Sequence, residues 1–151
     1  MSGPLIGIVG SAGAYGRWLQ HFFQERMGLE VIGHDPADPA SADETELVQR
    51  ADVLAFSAPI RRTGALIARY AELAAGSEAG RLWLDVTSIK AAPVAAMLAS
   101  RAEVVGLHPM TAPPKTPTLK GRVMVVCEAP LDTWRPWVAS LLAALGAGRV
   151  Q

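Results

Sequence analysis

The feature that most constrains this chain is the run Ile6-Gly7-Ile8-Val9-Gly10-Ser11-Ala12-Gly13-Ala14-Tyr15-Gly16-Arg17-Trp18 near its start. It reads as a buried strand, a glycine turn and the opening of a helix. A strand that feeds a helix through glycines aims backbone N–H groups at one point, and the helix N-terminus adds partial positive charge there. That point suits a diphosphate. The spacing is G-x-x-G-x-x-G, from Gly10 through Gly13 to Gly16, a variant of G-x-G-x-x-G with Ser11 at the first position. Tight turns also use glycine with no ligand in view, so the turn alone is a weak signal. A P-loop is excluded, because no Gly-Lys-Ser or Gly-Lys-Thr follows.

A second apolar stretch, Leu29-Glu30-Val31-Ile32-Gly33-His34-Asp35, ends in an acid. A carboxylate roughly 20 residues past such a glycine turn accepts hydrogen bonds from an adenosine ribose. Asp35 sits at about that distance, and its charge would repel a 2′-phosphate, so the expected cofactor is NAD rather than NADP. The next basic residue after it in sequence is Arg50. Asp35 followed by Pro36 also suits a plain turn. Turn and acid together favour a dinucleotide, held by Gly10, Ser11, Gly13, Ala14, Tyr15, Gly16 and Asp35.

Composition narrows the alternatives. The chain has the length of one domain, 151 residues, and half of them are hydrophobic, enough for a single core. Fourteen basic residues balance fourteen acidic ones, which gives no electrostatic case for a nucleic-acid partner. A lone cysteine, Cys127, excludes an internal disulfide framework and a multi-cysteine zinc site, and it fits a reducing cytoplasm. His21, His34 and His108 lack metal-ligand spacing, so no metal is expected. No apolar run approaches a membrane span, and no membrane partner is expected.

Short apolar runs at 5–9, 31–32, 53–56, 82–84, 104–107 and 123–126 alternate with helical patterns at 13–26, 44–49, 63–75, 91–100 and 131–145. A last strand is expected at Gly148-Arg149-Val150. The alternation predicts an α/β fold, a Rossmann-type doubly wound, mostly parallel sheet with helices on both faces. Trp134 and Trp137 are expected to pack a helix rather than stack a ligand. In such a sheet the ligand lies beyond the carboxyl ends of the strands. Three loops there are chemically suggestive: Ser57-Ala58-Pro59, the segment from Asp85 through Ser88 to Lys90, and His108-Pro109-Met110.

Those loops, in that order behind the glycine turn, resemble the prephenate dehydrogenase family. The matching pieces are G-x-x-G-x-x-G-R at 10–17, S-x-P at 57–59, D-x-x-S-x-K at 85–90 and G-L-H-P-M at 106–110. The resemblance implies NAD-dependent oxidative decarboxylation of prephenate to 4-hydroxyphenylpyruvate on the tyrosine pathway, with arogenate as the close alternative substrate. It implies that His108 takes the substrate hydroxyl proton and that Ser88 orients that histidine or the hydroxyl. Lys90 matches a motif lysine that could simply close its loop. Ser57, Ala58 and Pro59 are expected at the cofactor. Without the resemblance, Ser88 is as readily a helix cap and His108 a turn residue. One departure is the proline-rich segment 111–118, to which no role carries over. The other is length: family enzymes continue into a helical domain that forms a homodimer and supplies an arginine for a substrate carboxylate. The 151 residues are expected to form the NAD-binding domain alone, with little turnover, because half of the substrate clamp is missing. Rival expectations are another hydroxyacid dehydrogenase and a non-catalytic dinucleotide-binding module.

Overall fold

A computed structural model describes residues 3–57, 60–86, 100–109, 113–128, 131–146 and 148–150. The elements run β1 (Ile6–Val9), α1 (Ala14–Arg26), β2 (Val31–His34), α2 (Glu44–Arg50), β3 (Val53–Phe56), α3 (Ile60–Ala74), β4 (Leu82–Asp85), β5 (Glu103–Pro109), β6 (Val123–Glu128), α4 (Arg135–Leu145) and β7 (Gly148–Val150). The helix expected over 91–100 lies outside the described residues, save for Ser100. Among the described residues no helix is long and apolar enough to cross a membrane.

The seven strands form one sheet in the order β2-β1-β3-β4-β5-β6-β7. The first five strands are parallel, β6 runs antiparallel to β5, and β7 pairs parallel with β6. The chain steps outward from β1 to β2, then returns past β1 to β3. Strand order therefore reverses at β1, and a crevice opens beyond the carboxyl ends of β1 and β3.

β1, β3 and β4 are buried along their whole length, as strands covered on both faces must be. Ile6, Ile8, Leu82, Leu84, Val105 and Leu107 face a core shared with α1 and α4. Leu54, Phe56, Trp83 and Val104 face a second core with Leu47 of α2 and Ile67 and Tyr70 of α3. β2 is the edge strand and only half-buried. The loop after it folds back over the edge, where the Ala42 N–H donates to the Gly33 carbonyl at 2.9 Å. This occupies part of an edge that would otherwise invite pairing.

Trp134 and Trp137 do pack. Trp137 stacks on Phe23 at 6.4 Å and meets Trp134 edge-on at 5.7 Å, while the Trp134 Nε1–H donates to the Gly80 carbonyl. α4 begins at Arg135, four residues later than the apolar pattern suggests. The Glu103 carboxylate accepts from the N–H groups of Asp132, Thr133 and Trp134, which holds the chain in a turn ahead of the helix. Burial acts to raise the Glu103 pKa, but these backbone donors outweigh it and leave the carboxyl below its ordinary value.

The carboxyl end of α2 is satisfied from a distance. The Arg81 guanidinium donates to the carbonyls of Val48, Gln49 and Ala51, three groups that the helix leaves open. Arg81→Ala is expected to cost about 1.5–3 kcal/mol in a urea denaturation, the range for hydrogen bonds to a charged donor. A loss under about 0.5 kcal/mol would show that water satisfies those carbonyls equally well.

Candidate functional site

The glycine turn is built by its own hydrogen bonds. Gly10 has φ +89°, a left-handed conformation that side chains resist. Its N–H and that of Ser11 both donate to the His34 carbonyl, which ties the turn to the end of β2. The Gly13 N–H donates to the Gly10 carbonyl at 3.2 Å. The Ala12 N–H donates to Asp35 Oδ2 at 2.9 Å, and Asp35 Oδ1 accepts from the Ala37 N–H. Asp35 thus clamps the turn as well as opening its own. Each carboxylate oxygen keeps a further lone pair, so acceptance from a ribose hydroxyl remains open.

The three glycines do different work. A Cβ at Gly16 would lie 2.1 Å from the Gly10 carbonyl oxygen, so Gly16 is there for contact between helix and turn. A Cβ at Gly13 would reach the same oxygen at 3.4 Å, an ordinary contact, and Gly13 has an unstrained φ of −72°. Among the described residues nothing demands glycine at 13, which fits close approach by a ligand. Gly13 caps α1 without a side chain, and no acid stands in the first turn. The N–H groups of Ala14 and Gly16 at that helix start therefore have no intrahelical acceptor. The open donors at the start of the helix are therefore these, rather than the amides of residues 10–13, which the fold already uses.

A groove of about 610 Å³ lies over this turn, lined by Gly10, Ala12, Gly13, His34, Asp35, Pro36, Ala37, Glu44, Ser57, Leu66 and Arg69, with Val9 at its base. Its volume is that of a small-molecule or cofactor site. The Ser57 N–H extends the β1–β3 pairing by donating to the Val9 carbonyl, while its buried Oγ has no partner among the described residues. An orphaned hydroxyl and a carboxylate in a groove that reaches the start of α1 at Gly13 fit a ribosyl diphosphate. Among the expected site residues, Gly10, Gly13, Asp35 and Ser57 meet here. Ser11 is buried beside β2, Ala14 is exposed on α1, and Tyr15 turns to the other side of the helix, edge-on to Trp18 at 6.2 Å. Ala58, Pro59, Ser88 and Lys90 lie outside the described residues.

His108 does not line the groove. Sequence places it in a loop; the structure places it within β5, where His108 pairs with Val125 and Pro109 with Met124 of β6. The antiparallel partner extends the strand two residues past Leu107. Pro109 is tolerated because β4 ends opposite Gly106, so that Pro109 has no β4 partner to need its missing donor. Alternation puts His108 on the α3 face with Asp85, the fully buried end of β4. His108 is 3% exposed, and its Nε2 has no hydrogen-bond partner among the described residues. Burial lowers its pKa, so the ring is neutral at neutral pH.

That shift has a sign in stability. Below about pH 6.5 an unfolded histidine takes up a proton that the buried ring resists, so the unfolded state binds more protons and stability falls with pH. The loss accumulates from about 6.5 down to the lowered folded pKa and then levels off. His108→Asn is expected to flatten the decline in melting temperature through that window, measured between pH 7 and the onset of carboxylate titration. An unchanged slope would place the acid sensitivity elsewhere.

Sequence reasoning missed Ala12, whose amide holds Asp35, and the pair Glu44 and Arg69. Arg69 Nε and Nη2 both donate to Glu44 Oε1, at 3.0 and 2.7 Å. No local motif marks the pair, because α2 and α3 bring it together across two elements.

A profile of the nucleotide-binding domain of prephenate dehydrogenase matches residues 35–148. Among curated proteins none matches in sequence. The fold is similar to prephenate dehydrogenase from A. aeolicus in complex with hydroxyphenyl propionate and NAD+, with TM-score 0.78 and 16% identity over 99% of this chain and 60% of that one. It is similar to Plasmodium falciparum pyrroline carboxylate reductase with NADP bound, with TM-score 0.75 and 13% identity over 100% and 59% of the two chains. It is also similar to an imine reductase from Myxococcus stipitatus in complex with NADP+, with TM-score 0.72 and 15% identity over 97% and 55%. The chain spans less than two thirds of the length of these structures.

Proposed function

Because the chain belongs to the prephenate dehydrogenase nucleotide-binding domain family, we propose that it holds NAD for the oxidative decarboxylation of prephenate or arogenate. The observation that carries the reading is the groove at the strand-order reversal, where Gly13 at the start of α1, Asp35 and Ser57, whose buried hydroxyl has no partner among the described residues, meet. The Ala14 and Gly16 amides would bind the diphosphate, Asp35 the adenosine ribose, and Gly13 would admit the ligand closely. When bound, NAD supplies acceptance of a hydride.

His108 is the proposed base. Its neutral, partnerless Nε2 would take the proton of the substrate's ring hydroxyl as hydride leaves the carbon bearing it; carbon dioxide then departs and the ring becomes aromatic. With arogenate the ring chemistry is the same. At 3% exposure the imidazole is covered, so substrate contact requires that cover to open. Ser88 would orient the imidazole or the hydroxyl. Turnover is proposed to need a helical, dimer-forming domain that fixes the substrate, since orientation contributes much of the barrier reduction in such reactions. The setting proposed is the cytoplasm and tyrosine biosynthesis.

The test is a substrate panel on the two-domain protein, following NADH and carbon dioxide with prephenate, arogenate, simple 2-hydroxy acids and cyclic imines. Reduction of NAD with carbon dioxide release from prephenate or arogenate is expected. Turnover confined to hydroxy acids or imines would overturn the reading, and NAD binding with no turnover of any of them would leave a non-catalytic module.

A further inference from the structure

We infer that Glu44 sets the preference for NAD over NADP by holding Arg69 away from the ribose 2′ position. The inference rests on the reading of the groove as a dinucleotide site. The two cofactors differ by one phosphate on the adenosine ribose, and a site that accepts it needs a cation there. Among the described residues that line the groove, Arg69 is the cation, and it shares the wall with Asp35.

Arg69 is already engaged. Two of its donors converge on one Glu44 oxygen, which turns the planar fork toward a carboxylate. Those two donors cannot at the same time be offered to a phosphate, and the carboxylate offsets the charge that the rest of the guanidinium would present. Glu44 is the fixed partner and Arg69 the free one: their side chains are 18% and 61% exposed. Glu44 opens α2, where an acid is favoured by the helix N-terminus. The Tyr70 hydroxyl beside it is buried. Burial, reinforced by the Glu44 charge, raises its pKa far above the ordinary tyrosine value, so it stays a neutral hydroxyl next to the carboxylate. A 2′-phosphate would therefore meet the Asp35 and Glu44 carboxylates and a cation that is already neutralised.

The experiment is calorimetric titration of the 151-residue chain with NAD and NADP, for wild type, Glu44→Gln, Arg69→Ala and the double variant. Wild type is expected to bind NAD more tightly. Glu44→Gln removes the charge that neutralises the guanidinium, and the ratio of dissociation constants should move toward NADP by about tenfold, ~1.4 kcal/mol. The double variant should lose that shift. Arg69→Ala alone, a change at an exposed side chain, should move the ratio away from NADP, because the Glu44 charge is then uncompensated. An unchanged ratio in Glu44→Gln, a shift that persists in the double variant, or tighter NADP binding by Arg69→Ala would each overturn the inference. Binding of neither cofactor by wild type would overturn the dinucleotide reading, and this inference with it.

Discussion

Replacing His108 by Asn is expected to lower kcat of the proposed oxidative decarboxylation by about 10²–10⁴-fold, the usual contribution of a positioned general base. NAD affinity should stay close to that of wild type, because the ring does not line the cofactor groove. Asn keeps a polar side chain of similar reach but cannot take a proton at neutral pH. The expectation stands on an unusual combination. The imidazole is buried, its Nε2 lacks a partner, and burial holds it neutral. An unsatisfied buried group costs about 1–3 kcal/mol, so its retention is better explained by use than by packing. Steady-state kinetics and cofactor titration on one preparation separate the two effects. A fall in kcat of less than about tenfold would remove His108 from the chemistry.

Gly16→Ala is expected to cost about 3 kcal/mol or more, a large share of the roughly 5–15 kcal/mol that holds a domain folded. The added methyl would lie 2.1 Å from the Gly10 carbonyl oxygen and 2.9 Å from Ser11 Cα, and both obstacles are backbone. Relief requires α1 to lift off the turn, which would pull Phe22 and Phe23 from the core. Gly13→Ala is the control, since its methyl meets the same oxygen at 3.4 Å and should leave stability within about 1 kcal/mol. Urea denaturation of both variants checks the contrast. Equal stability for the two would mean that the close packing of α1 on the turn is not needed for the fold.

The sheet was legible because parallel strands covered on both faces are continuous apolar runs. Residues 53–56 match β3, and the other runs fall within two residues of their strands. Errors fell where a distant partner decides. Asp132 to Trp134 stay out of α4 because Glu103, on β5, holds their amides. His108 and Pro109 join β5 because β6 pairs with them antiparallel. The turn and Asp35 were legible as one motif, yet the bond that ties them, from the Ala12 amide to the Asp35 carboxylate, has no local signature. Arg69 escaped for the same reason: a search for bases near Asp35 along the chain stops at Arg50, whereas the fold brings Arg69 to the groove on α3.

The groove above the glycine turn is proposed to take a dinucleotide through the start of α1. The most direct test is calorimetric titration of the 151-residue chain with NAD, beside Gly13→Ala, supported by the thermal shift that binding to the folded state must produce. Saturable binding at one site per chain is expected, with a raised melting temperature, weakened at least about tenfold in Gly13→Ala because the methyl stands where the ligand approaches. No heat and no thermal shift at millimolar NAD, or equal affinity in the two proteins, would contradict it.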